Sequence, residues 1–187
     1  NDLPNWDPRR RVLGVIRPTA EIIGDITRNN HVGLLATEGT VKSQSYDMEI
    51  HKLWPDIKVT GQACPFWVPL VEYNEADSPG ADYFVKKRID QLLRKDPEID
   101  SIILGCTHFP LLMPKILKYT PPGITIVPQG EYVASKLKDY LRRHPEMETL
   151  LTKGGDVKYF STENASKFMA SASIFLHERI KATHIDL

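Results

Sequence analysis

The chain has 187 residues, 41% of them apolar, with 24 basic and 24 acidic side chains in balance. That length suits one large or two small domains. It offers no net positive field for a nucleic-acid role, no apolar run near the roughly 20 residues of a membrane span, and, with two cysteines, no disulfide scaffold.

In chain order, the opening Asn1 to Arg11 is polar and proline-containing and reads as a loop or severed connection. Short apolar runs then predict strands at Val12 to Ile16, Val32 to Ala36, Ile57 to Gly61, Ser101 to Leu104, Ile124 to Val127 and Val157 to Phe160. Helical periodicity predicts helices at Thr19 to Thr27, Lys42 to Leu53, Asp82 to Arg94, Leu111 to Lys118, Tyr132 to Arg142 and Ser166 to Ile180. Strands that are continuously apolar and alternate with helices predict an α/β fold, parallel sheets flanked by helices. Breaks are expected at Asp77-Ser78-Pro79-Gly80, Pro121-Pro122-Gly123 and Lys153-Gly154-Gly155.

Polar groups in such a fold gather where strands end and helices begin. Gly105-Cys106-Thr107-His108 follows the run Ile102-Ile103-Leu104, just before a helix. A thiol there feels the helix dipole and can act as acid, base or nucleophile. His108 can orient or protonate it, and Thr107 can hydrogen-bond a carboxylate. The plainer reading is a buried structural cysteine beside a capping threonine.

Thr37-Glu38-Gly39-Thr40 follows the second predicted strand. Its hydroxyls and N–H groups could hold a carboxylate; alternatively Thr40 caps the next helix. Glu72, after the stiff segment Ala63-Cys64-Pro65-Phe66-Trp67, could pair with His108 as a carboxylate does in a triad, or stand solvated at a helix start. Cys64 also ends a strand and could share the edge with Cys106. A structural role is expected for it, because it lacks activating polar neighbours. Pro128-Gln129-Gly130-Glu131 forms a further strand-end turn, with Glu131 favourable at a helix N-terminus. The other five histidines show no ligand spacing, so no metal site is expected.

Together, Gly14-Val15-Ile16, Thr37-Glu38-Gly39-Thr40, Ala63-Cys64-Pro65 with Val68-Pro69-Leu70-Val71-Glu72, and Gly105-Cys106-Thr107-His108 with Pro110-Leu111-Leu112 closely resemble the bacterial glutamate racemases. The match runs from about Gly14 to Glu131. His108 favours glutamate, since related aspartate racemases usually carry Glu there. The resemblance implies two pseudo-symmetric α/β domains with the active site between them. It implies a cofactor-free reaction in which two cysteines exchange the α-proton from opposite faces, supplying D-glutamate for peptidoglycan in the cytoplasm. Cys106 matches the second cysteine, His108 a supporting acid/base that also contacts substrate, and Glu72 a carboxylate near it. Thr107, with Thr37 and Thr40, would bind substrate.

The family's opening Asp-Ser pair and its Cys-Asn-Thr motif are absent, and Pro128-Gln129 stands where Asp-Ser is usual. The chain is therefore expected to be the C-terminal portion of a racemase, inactive alone. Residues 18–127 would form one racemase domain, and 1–17 with 128–187 remnants of the other. The expected partner is the small molecule glutamate. A homo-oligomer is also expected, through an exposed strand at Val12 to Ile16 and the apolar helix carrying Phe168, Met169, Ile174, Phe175 and Leu176. The alternatives are another amino-acid racemase of the superfamily, or a non-catalytic module that binds small carboxylates.

Overall fold

The computed structural model describes residues 12–176 and 178–186. The opening loop expected at Asn1 to Arg11 lies outside them. The chain divides into two compact units at Asp139.

In the first unit the order is α1 (Ile16–Ile26), β1 (His31–Ala36), α2 (Glu38–Ser43), α3 (Ser45–His51), β2 (Lys58–Ala63), α4 (Trp67–Glu72), α5 (Pro79–Lys95), β3 (Ser101–Leu104), a 3-10 turn (Phe109–Leu112), α6 (Met113–Tyr119), β4 (Thr125–Pro128) and α7, which begins at Gln129 (Gln129–Arg143). The strands form one four-stranded sheet in the order β2-β1-β3-β4, and each pairing is parallel. β1 and β3 are interior and almost wholly buried, which is why they read as unbroken apolar runs.

One face of the sheet packs on α1 and α3 through Ala20, Ile23, Val32, Leu34, Ala36, Tyr46, Ile50, Ile103 and Val127. On the other face α5 presents Ala81, Val85, Ile89 and Leu92, a helical stripe. A side chain at Gly33 would stand 2.8 Å from Leu92, so glycine lets α5 approach β1 closely. Ser78 caps α5, its hydroxyl accepting from the Ala81 N–H.

Several elements differ from the sequence expectation. No strand forms at Val12 to Ile16: residues 12–14 carry no regular structure and α1 begins at Ile16. Pro18 then falls in the first turn, where a missing N–H costs nothing. The helix expected at Lys42 to Leu53 breaks at Gln44, which is left-handed at φ 52°, with Ser43 and Ser45 hydroxyls bonded at 2.8 Å. The helix expected from Leu111 starts as the 3-10 turn at Phe109, and α4 was not expected at all.

The second unit holds α8 (Pro145–Glu148), β5 (Tyr159–Ser161), α9 (Ala165–Leu176) and β6 (Ala182–His184). β5 and β6 pair in parallel around the crossover helix α9. The strand expected at Val157 starts two residues later, and β6 and α8 were not foreseen. Among the described residues no helix is long and apolar enough to cross a membrane.

Candidate active site

The parallel register brings the strand ends to one edge. Leu35 pairs with Leu104, Leu104 with Pro128, and Ala36 with Ala63. The ladder continues one residue further: the Gly105 N–H donates to Leu35 O at 2.8 Å and the Cys64 N–H to Ala36 O at 2.9 Å. Thr37, Cys64, Cys106 and Gln129 therefore emerge side by side at the carboxyl edge, where open α/β sheets hold their ligands.

Cys106 is partly exposed. Its Sγ lies 3.9 Å from His108 Nδ1, and His108 Nε2 lies 2.5 Å from Glu72 Oε1. A carboxylate only accepts, so Nε2 carries the proton in the neutral ring and Nδ1 turns its lone pair to the thiol. This thiol–imidazole–carboxylate line can take up and return a proton.

The line is assembled by packing. Glu72 closes α4 rather than opening a helix, and α4 is held by Trp67, which is fully buried. The Trp67 and Phe109 rings meet edge-on with centroids 4.7 Å apart. Phe109 follows His108 directly, so this contact draws Glu72 to the imidazole. The prolines at 65 and 69 mask α4 in the sequence, since helix interiors rarely hold proline; Pro69 sits within the first turn.

The remaining expected residues are placed as follows. Thr107 is exposed beside Cys106. The helix after β1 is capped by Thr37, not Thr40: Thr37 Oγ1 accepts from the Thr40 N–H, and the two hydroxyls bond at 2.9 Å. Cys64 is fully buried, and its thiol donates to Gln62 O at 3.5 Å. Burial pushes that thiol far up, outweighing the pull of Arg88 and of the Ala36 hydrogen bond, so it resists ionisation. Tyr46, not singled out from sequence, shares the edge with Gln129 of the expected strand-end turn. Tyr46 lies buried against Gly105, and Gln129 bonds to it at 2.5 Å.

His31, Asp96 and Glu98 bring potential metal-ligand atoms within 4.8 Å at the opposite, amino end of the sheet. There His31 Nδ1 faces Asp96 at 2.9 Å, Nε2 faces Glu98 at 3.4 Å, and Lys58 reaches Asp96 at 3.0 Å. Lys58 already supplies a cation to Asp96, and His31 joins the group through its ring-nitrogen contacts.

A parallel sheet whose carboxyl edge carries a thiol, an imidazole and a carboxylate defines an α/β protein equipped for proton transfer. No family model matches the chain. A glutamate racemase of Lactiplantibacillus plantarum is 36% identical over 177 residues, covering 94% of this chain and 64% of the relative. The crystal structure of a glutamate racemase from Bacillus anthracis superposes with a TM-score of 0.85 at 30% identity, over 99% of this chain and 69% of that one. One from Thermus thermophilus, in complex with β-chloro-D-alanine, gives a TM-score of 0.77 at 27% identity over 99% and 67%. The chain belongs to the glutamate racemase family. It spans about 64% of the length of the curated relatives it matches.

Proposed function

We propose that the complete protein interconverts L- and D-glutamate by moving the α-proton, without a cofactor, and that this chain supplies the acid/base group for one face of Cα. The observation that carries this reading is the line Cys106–His108–Glu72, at 3.9 and 2.5 Å, on the carboxyl edge of the sheet. In it Cys106 exchanges the α-proton as thiolate and thiol. His108 Nδ1 draws the thiol proton and contacts substrate, and Glu72 holds the ring. Thr107, Thr37 and Thr40 bind the substrate carboxylates. β-Chloro-D-alanine, held by the Thermus relative, shares the α-carboxylate and α-ammonium that such loops would receive.

Inversion needs a proton delivered to the opposite face of the planar carbanion, hence a second acid/base group. Cys64 is buried and disfavours its thiolate, so these 187 residues do not racemise glutamate alone. The same reading places residues 18–127 in one racemase domain, and 1–17 with 128–187 in a second. It makes the complete protein a cytoplasmic homo-oligomer that acts on glutamate and supplies D-glutamate to peptidoglycan.

Circular dichroism of L-glutamate with the chain at high concentration tests this, together with mass-spectrometric alkylation. The expected result is constant ellipticity, with Cys106 alkylated well before Cys64 and more slowly when glutamate is present. Sustained inversion that Cys64→Ala abolishes would make Cys64 the partner base, and faster alkylation of Cys64 than of Cys106 would remove the site assignment.

A further inference from the structure

The turn from β4 into α7 lies beside Cys106 and does something the proton relay does not use. The Gln129 amide nitrogen donates both its protons inward, to Tyr46 Oη at 2.5 Å and to Thr19 Oγ1 at 3.2 Å. Tyr46 and Thr19 are 2% and 0% exposed. Two buried hydroxyls on two helices are thus tied to a residue at the sheet edge. A buried hydroxyl that loses its partner is costly, so the tie fixes the tyrosine ring.

The ring edge next to the phenol carbon meets the residue before the thiol. A Cβ placed on Gly105 would lie 3.3 Å from Tyr46 Cε2, 3.0 Å from Ala36 Cβ and 2.9 Å from Leu34 Cδ1. The Gly105 backbone is therefore clamped between Tyr46 and β1, and its N–H is held by Leu35 O. Cys106 follows Gly105 directly, so the clamp lies one residue from the thiol.

We propose that Gln129 is a positioning residue for Cys106, acting through Tyr46: the amide fixes the phenol, the phenol fixes Gly105, and Gly105 sets the thiol opposite His108. Burial, with a smaller contribution from negative charge at Cys106 and against the Gln129 hydrogen bond, pushes the Tyr46 phenol up to about 12 and keeps it protonated. At neutral pH the phenol is a neutral hydrogen-bonding strut. The inference rests on reading Cys106 as the acid/base thiol.

The test is the pH profile of Cys106 alkylation by iodoacetamide in the full 187-residue chain. Four variants are compared with the parent: Gln129→Leu, Tyr46→Phe, their double, and Thr19→Val, which removes the amide's other acceptor without touching Gly105. Gln129→Leu and Tyr46→Phe each lower the neutral-pH rate about fivefold and shift the profile, and the double does no more than either single, as expected for one linked pair. Thr19→Val stays within about twofold of the parent rate.

The inference falls if the singles leave rate and profile unchanged, if their effects multiply in the double, or if Thr19→Val matches them, which would mark a merely structural network. Near-UV circular dichroism checks the fold; if Gln129→Leu does not fold, Tyr46→Phe against Thr19→Val decides alone. A parent chain in which Cys64 outpaces Cys106 overturns the site reading and this inference together. A reactive parent with indifferent variants overturns this inference only.

Discussion

The two ends of the four-stranded sheet are built on opposite principles. At the amino end, polar groups are saturated. Asp100 accepts from Thr27 Oγ1 at 2.8 Å, Ser101 Oγ at 2.7 Å, and the N–H groups of Arg28 and Asn29 at 2.6 and 3.1 Å. Asp96, 2% exposed, is enclosed by His31, Lys58, Thr60 and the Glu98 N–H. At the carboxyl end Cys106, Thr107, His108 and Glu72 are partly or fully exposed, with bonding capacity left over. The same strands carry both ends, so strand chemistry does not make the difference. Buried carboxylates with every oxygen occupied hold loops rigidly, whereas unsaturated groups at an open edge are available to a ligand.

The largest effect that tests this contrast is Asp100→Ala. Two hydroxyls and two N–H groups lose their acceptor, at a cost of about 3 kcal/mol in urea unfolding. Cys106 alkylation in the folded protein stays unchanged; a loss below about 1 kcal/mol would show that the saturated end does not stabilise the fold. The pH dependence follows in sign. Burial raises Asp100 and Asp96, but the Arg28 N–H, Ser101, Thr27 and Asn29 on one, and His31, Lys58 and the Glu98 N–H on the other, outweigh it, leaving both below the ordinary carboxylate value. Folded values lowered relative to unfolded ones contribute stability above about pH 4 that is lost as pH falls through the folded values. Urea midpoints measured against pH should show this acid limb, and Asp100→Asn should shrink it.

Gly105→Ala probes the junction of core and edge. The new methyl meets Leu34, Ala36 and Tyr46, costing about 1–3 kcal/mol as overpacking and altering Cys106 alkylation as well. A variant that melts like the parent would show that the clamp is loose. Smallest in stability is Glu72→Gln, because the pair with His108 is partly exposed, at 46% and 29%. Less than about 1 kcal/mol is lost, while Cys106 alkylation slows because the amide oxygen still accepts from Nε2 but no longer brings the negative charge that supports the imidazole as a base. Unchanged alkylation would detach Glu72 from the site.

Much of this was legible in local pattern. The runs Val32 to Ala36 and Ser101 to Leu104 are apolar throughout because both sheet faces are covered, and nothing but a buried parallel strand suits them. The motif at Cys106 announced itself by placing a glycine, a thiol and an imidazole straight after such a run. Elements whose signal is tertiary were misread. Val12 to Ile16 is apolar enough for a strand but has no neighbour to pair with among the described residues, and Val12 is 77% exposed. α4 hides behind its prolines and exists because Trp67 has Phe109 to pack on.

The sequence by itself determined that parallel strands would deliver polar groups to a common edge, since alternation of apolar strand and amphipathic helix admits few other arrangements. It also determined which chemistry arrives there, because a thiol, an imidazole and hydroxyls are properties of residues. Tertiary structure alone decided which of those groups act on one another. Cys64 and Cys106 leave strands of one sheet on either side of β1, yet packing buried the first and left the second open to His108. Gln129 reaches Tyr46 across 83 positions of chain. Distances of that kind are set by how helices settle on the sheet, and no local pattern records them.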